Sequence, residues 1–89
     1  MDDTQLITLY GTSWCGGSRR ARLLLDRSKI PYRYVDIDED EEAARLVEKI
    51  NRGYRSVPTL VFADGSTLTE PSEAELRRKL GILVDDDDE

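Results

Sequence analysis

Apolar residues recur in this chain at two different spacings, and the switches between them divide it into strands and helices. Leu6, Ile7, Thr8, Leu9 and Tyr10 form a short, partly β-branched apolar run that stops at Gly11, the signature of a buried strand. From Ser18 to Ser28 the spacing changes: Ala21, Leu24 and Leu25 fall on one helical face, and arginines fill the other. Ile30-Pro31 ends that helix, and Tyr32 to Ile37 alternates as a second strand. Ala43, Leu46, Val47 and Ile50 mark a second amphipathic helix that stops between Asn51 and Gly53. Val57-Pro58-Thr59 opens a third strand through Phe62, Asp64-Gly65 signals a hairpin, and Ser66 to Thr69 returns as a fourth strand. Ser72 with Glu75 three residues on is a capping box for a last helix, which Gly81 can end. The order is βαβ, α, ββ, α, and the first two strands should lie parallel with a right-handed crossover.

Eighty-nine residues suffice for one such α/β domain and not for two. The expected division is a domain over residues 1–82 and an acidic, solvated tail over residues 83–89, where Asp85 to Glu89 are five consecutive acids. Without those five, the 19 acidic residues become 14 against 13 basic ones, so the net charge of −6 is mostly the tail. Within the domain the charges segregate. Arg19, Arg20, Arg22, Arg27, Lys29 and Arg33 face Asp26 alone, whereas Asp36 to Glu42 is almost entirely acidic. A nucleic-acid binder would normally show its basic face in the total, so no nucleic-acid partner is expected. No run approaches the roughly 18 apolar residues of a membrane helix, and the acidic start carries no secretory signal. A cytoplasmic, monomeric protein is the expectation.

One cysteine cannot close an internal disulfide, and with no histidine neither a His-bearing zinc site nor a Cys-His pair can form. No metal site is expected. Cys15 is then the one strong nucleophile. A lone cysteine is usually an inert core residue, yet Cys15 follows a strand and directly precedes the arginine-rich helix. There, free backbone N–H groups and the helix dipole favour a thiolate, and the thiol pKa should fall below about 8.5. Arg19, one turn on, would add positive charge. Gly16 and Gly17 leave the sulfur open to a bulky partner, and Trp14 would wall it on one side. Cys15-Gly16-Gly17-Ser18 places a hydroxyl where a Cys-x-x-Cys motif has its resolving thiol, and an alcohol cannot act as that thiolate at neutral pH. Ser18 either donates a hydrogen bond to the Cys15 thiolate or simply belongs to the first helical turn. Any turnover must be monothiol, with an external small thiol regenerating Cys15.

Pro58 has two readings. It is a proline opening an edge strand, where its missing N–H costs little, or a cis Val57-Pro58 bond turns the Val57 backbone toward the thiolate, where it can pair with an extended substrate.

With Trp14-Cys15-x-x-Ser18 after the first strand and Val57-Pro58-Thr59 opening the third, the chain resembles a glutaredoxin of the thioredoxin fold over about residues 5–81. That fold is a four-stranded mixed sheet flanked by three helices. Three segments are more narrowly similar to the actinobacterial mycoredoxins: Thr12 to Gly16, Asn51 to Thr59, and Phe62 to Ser72. The resemblance implies reduction of mixed disulfides between proteins and mycothiol, with Cys15 as nucleophile and Pro58 cis. Its partners would be thiolated proteins and a small thiol, mycothiol or glutathione, as co-substrate with no bound cofactor. By position, Trp14, Arg55, Val57, Thr69 and Ser72 would line the thiol groove, with Gly16, Arg19, Pro58 and Thr59 beside them. Simpler readings stand next to these: Thr69 as a strand residue, Ser72 as a helix cap, Arg55 as a solvated loop charge. The departure is Ser18, where mycoredoxins generally carry a second cysteine. A natural monothiol member, an engineered Cys-to-Ser variant, or a relative of the cluster-binding monothiol glutaredoxins would each account for it; the last would be a non-enzymatic iron–sulfur or protein-binding module.

Overall fold

The first strand, β1 (Ile7–Gly11), is central because it buries residues on both faces, and its alternate residues go to two different cores. Ile7 and Leu9 pack with Leu24, Leu25, Leu60 and Leu76 on one side, while Tyr10 packs with Ile37, Ala44 and Val47 on the other. This computed structural model describes residues 6–82; the acidic segment 83–89 lies outside the described residues.

β1 is followed by α1 (Gly16–Arg27), β2 (Tyr32–Asp36), α2 (Glu41–Ile50), β3 (Thr59–Val61), β4 (Thr67–Thr69) and α3 (Glu73–Leu80). The sheet order is β2-β1-β3-β4. β1 and β2 run parallel with Leu9 opposite Tyr34, and β1 pairs antiparallel with β3, Leu9 opposite Leu60. β3 and β4 close the antiparallel hairpin, Leu60 opposite Leu68. The result is the four-stranded mixed sheet with three helices that the sequence implies. The larger core lies on the α1/α3 face, and its fully buried Leu9, Leu25 and Leu60 each contribute about 1.5–3 kcal/mol by leaving water.

Element ends follow local chemistry. The box at Ser72 forms in full: the Glu75 N–H donates to Ser72 Oγ at 3.1 Å, and the Ser72 N–H donates to Glu75 Oε1 at 2.8 Å. Gly81 ends α3 at φ 77°, in the left-handed region that glycine enters without a Cβ clash. The starts of α1 and β3 differ from expectation. α1 begins at Gly16, two residues ahead of its apolar pattern, because the Cys15 sulfur caps it. β3 begins at Thr59, since Pro58 has no N–H for the ladder and follows a cis bond from Val57.

Where β1 meets α1 the backbone and helix are in close contact. A Cβ on Gly11 would lie 2.6 Å from Ser18 Oγ and 2.9 Å from Ser18 Cβ. Gly11→Ala should therefore displace Ser18 and cost about 1–3 kcal/mol, as overpacking usually does. Urea unfolding checks this, and a midpoint equal to that of the unaltered protein would rule out the tight contact.

Candidate active site

The site is assembled at the start of α1. Cys15 is the N-cap, in extended backbone, and its Sγ accepts a hydrogen bond from the Ser18 N–H at 3.4 Å. The sulfur thereby satisfies one of the N–H groups that the first helical turn leaves without an intrahelical partner. The Cys15 S–H in turn donates to the Val57 carbonyl at 3.7 Å, across 42 residues of sequence. Val57 and Pro58 are joined by a cis bond, the second of the two arrangements open from sequence.

Ser18 belongs to the first helical turn. It is fully buried in the first turn, and its Oγ accepts from the Thr12 N–H at 3.3 Å. Its hydroxyl also acts as a donor that favours the Cys15 thiolate. Burial is the largest single influence on the Cys15 pKa and pushes it up, and the Glu70 carboxylate adds a smaller push in that direction. Hydrogen bonds from the Ser18 hydroxyl, the Ser18 N–H and the Gly17 N–H favour the thiolate and together outweigh both. The thiol therefore ionises below its ordinary value. A lowered folded-state pKa means that ionisation stabilises the fold above the unfolded thiol's pKa, a contribution lost as pH falls through the folded value.

Glycines keep this corner open. A Cβ on Gly17 would lie 3.2 Å from Pro58 Cδ and 3.8 Å from Cys15 Sγ, and one on Gly16 would lie 3.2 Å from Arg20 Nη1. The guanidinium against the glycines is thus that of Arg20. Arg19, expected there, projects from another side of α1 with Arg22, Leu23 and Asp26, and the charge that acts on Cys15 is the negative one of Glu70. Helical geometry separates two adjacent residues by about 100°, which is why neighbours in sequence face different ways.

Trp14 is 70% exposed and donates its indole N–H to Asp38 Oδ2 at 2.7 Å, so the ring is tied to the β2–α2 connection. Arg55 is engaged by two carboxylates of α2: Nη2 bonds Glu41 at 3.1 Å and Nε bonds Glu48. Thr59, expected beside the thiol groove, is fully buried and donates to the Ser56 carbonyl at 2.8 Å; a side chain with no exposed surface shapes the loop from within. Thr69 is exposed and donates to Asn51 Oδ1 at 2.6 Å. Ser72 is exposed, with its hydroxyl in the α3 cap, and lines a pocket of about 60 Å³ with Gly17, Arg20 and Pro71.

Asn51 is the residue that sequence reasoning passed over. It ends α2, and its Nδ2 donates to the Val47 carbonyl and to Thr59 Oγ1, each at 3.0 Å. With Thr69 on its Oδ1, one side chain ties α2, β3 and β4 together behind the Val57-Pro58 turn. An Asn before Arg-Gly at a helix end read as a stop signal, and nothing local announced its second role. Glu70 was also missed: it holds φ 49°, in the left-handed region, and its N–H donates to the Pro58 carbonyl at 2.8 Å. Strained backbone of this kind collects at functional sites. Among the described residues, no group of three or more His, Cys, Asp or Glu could hold a metal ion.

A sulfur-capped helix beside a cis-proline turn on this sheet defines a thioredoxin-fold thiol protein. The glutaredoxin family profile matches residues 7–67. A Mycobacterium tuberculosis protein whose name places it among the glutaredoxins is 48% identical over 77 residues, covering 86% of this chain and 92% of that one. Mycoredoxin 1 of Corynebacterium glutamicum is 39% identical over 78 residues, covering 88% and 96%. Among solved structures, the glutaredoxin of Methanosarcina mazei superposes with a TM-score of 0.74 at 28% identity, covering 89% of this chain and 81% of that one. This chain belongs to the glutaredoxin family, whose general activity is thiol–disulfide exchange.

Two measurements probe the site. The pH profile of Cys15 alkylation by iodoacetamide should have its midpoint below about 8.5, and Ser18→Ala should move it upward by removing a donor to the thiolate; an unmoved midpoint would deny Ser18 that part. Asn51→Ala should cost about 1–3 kcal/mol, since it removes the amide that bonds the buried Thr59 hydroxyl and the Val47 carbonyl. A thermal melt equal to that of the unaltered protein would show the network to be dispensable.

Proposed function

We propose that this protein reduces mixed disulfides between proteins and a low-molecular-weight thiol by a one-thiol route, with mycothiol preferred over glutathione. The observation that carries the reading is the Cys15 sulfur at the α1 start, facing the Val57 carbonyl, with a buried hydroxyl at position 18. The thiolate attacks the small-thiol sulfur of the mixed disulfide. A bond forms between Cys15 and that sulfur, and the protein leaves as a thiolate that takes up a proton. A second molecule of the small thiol then attacks the Cys15 disulfide, forms the symmetric small-thiol disulfide and returns Cys15 as thiolate. Each step exchanges one sulfur–sulfur bond for another, and Ser18 forms no bond to sulfur in either.

Val57 supports substrate pairing: among the described residues its N–H has no acceptor, which leaves it for the carbonyl of an extended ligand. Trp14, Gly16, Pro58, Thr69 and Ser72 would form the walls of the thiol site, and Arg55 offers charge only in competition with Glu41 and Glu48. Mycothiol is favoured by the three mycoredoxin-like segments and by the 39% identity to mycoredoxin 1. The domain over residues 1–82 acts as a monomer in the cytoplasm; no helix among the described residues is long and apolar enough to cross a membrane.

The test is turnover of one protein mixed disulfide with mycothiol and with glutathione in parallel. Faster turnover with mycothiol and none in Cys15→Ser are expected. Activity retained by Cys15→Ser would remove the nucleophile, and equal or faster rates with glutathione would remove the mycothiol preference.

A further inference from the structure

Helix α1 carries an unusual charge for its position. The nucleophile caps its start, and Arg19, Arg20, Arg22 and Arg27 follow within one helix against Asp26 alone, which accepts from the Tyr32 hydroxyl at 3.0 Å. Arg22 is used internally, its guanidinium stacked 3.9 Å above the Tyr34 ring. Arg20 and Arg27 have no carboxylate partner among the described residues. Both line a single depression. The pocket of about 60 Å³ beside Gly17 shares Arg20, Leu24 and Glu73 with a larger groove of about 300 Å³ between α1 and α3. That groove continues away from the sulfur past Leu23 and Arg27. Its one carboxylate, Glu73, bonds Arg77 at 2.9 Å, and Leu23, 47% exposed, gives it an apolar side.

We propose that this α1–α3 groove seats an acidic segment of the protein substrate, adjacent to the cysteine being reduced. The proposal rests on the disulfide-exchange reading above and adds the class of protein it acts upon. Charge complementarity selects the occupant. Two exposed guanidinium groups flank an apolar strip, and an acidic peptide with an interspersed apolar residue matches both. Distance sets the pattern. At about 1.5 Å per helical residue, Arg20 and Arg27 lie about 8 and 18 Å along the axis from Cys15. An extended chain covers those spans in about two to three and five to six residues, respectively. Carboxylates at those separations from the modified cysteine would meet both cations. Such attraction acts on encounter and is weakened by salt, because the groups are exposed.

The experiment uses three equal-length peptides, each carrying one cysteine in mixed disulfide with the small thiol and flanked by acidic, neutral or basic residues at those positions. A mixed disulfide of the small thiol with 2-mercaptoethanol serves as a substrate too short to reach the groove. The acidic peptide should show a kcat/KM about three- to tenfold above the neutral one at low ionic strength, the basic peptide should fall below it, and both differences should shrink in 0.5 M salt. Arg27→Glu should abolish the acidic advantage while leaving turnover of the short disulfide unchanged, and Arg27→Gln should lie between. Equal rates for the three peptides, or an Arg27→Glu loss that is the same for every substrate, would overturn the proposal. So would an acidic preference that emerges only when Asp85 to Glu89 are replaced by Asn and Gln, since the groove would then belong to the chain's own acids. Binding of the same peptides to Cys15→Ser, followed by fluorescence anisotropy, separates the two readings. A bound acidic peptide with no turnover of the short disulfide by the unaltered protein would retain the groove and refute the exchange chemistry. Ordinary turnover with no acidic selectivity in rate or binding would do the reverse.

Discussion

The first turn of a helix has N–H groups with no carbonyl to receive them, and here one of them is given to a sulfur. That bond between the Ser18 N–H and Cys15 Sγ caps α1 and, with the other donors to the sulfur, lowers the thiol pKa against burial. It in turn depends on a contact one layer down. Ser18 is buried against Gly11 at the end of the central strand, so strand, loop and helix start form one packed unit. The hydroxyl at position 18 takes the Thr12 N–H and so satisfies that buried backbone donor, while the Thr12 hydroxyl beside it is buried without a partner. Cys15 is therefore held by the same contacts that join β1 to α1.

The opposite wall is fastened from the other face of the sheet. Asn51 joins the end of α2 to Thr59 and Thr69, and the salt bridges from Arg55 to Glu41 and Glu48 tie the preceding loop to the same helix. Exposed ion pairs of this kind are individually weak, but the partly buried amide of Asn51 satisfies three partners at once. The Val57 carbonyl is thereby presented to the sulfur by residues that never touch it. Two rigid pieces, one on each face of the sheet, meet at the thiol. Glu70, bonded to the Pro58 carbonyl, closes the corner between them and brings a negative charge that partly opposes the helix start.

Much of this was legible in the residues. Periods of two and of three to four located all seven elements, and the capping box at Ser72 and the αL glycine at position 81 formed as their chemistry requires. The prominence of Cys15 followed from its place after a strand and before a helix. Ser18 cannot resolve a disulfide by its chemistry alone, while its burial could not be read, because it depends on the approach of Gly11 from seven residues earlier. Arg19 and Arg20 were indistinguishable in one dimension, although only the second folds against Gly16. Thr59 was expected beside the thiol groove, yet it is fully buried.

What the sequence determined by itself was local: which segments take which period, where helices are capped, and that its single cysteine has no second cysteine to pair with. Those are properties of neighbours along the chain, and backbone sterics, capping chemistry and sulfur acidity act at that range. Tertiary structure alone decided the meeting of Cys15 with Val57 across 42 residues, the threefold use of Asn51, and the shared groove of α1 and α3. Those depend on sheet register and helix rotation, which the buried side chains set collectively and no short segment can specify.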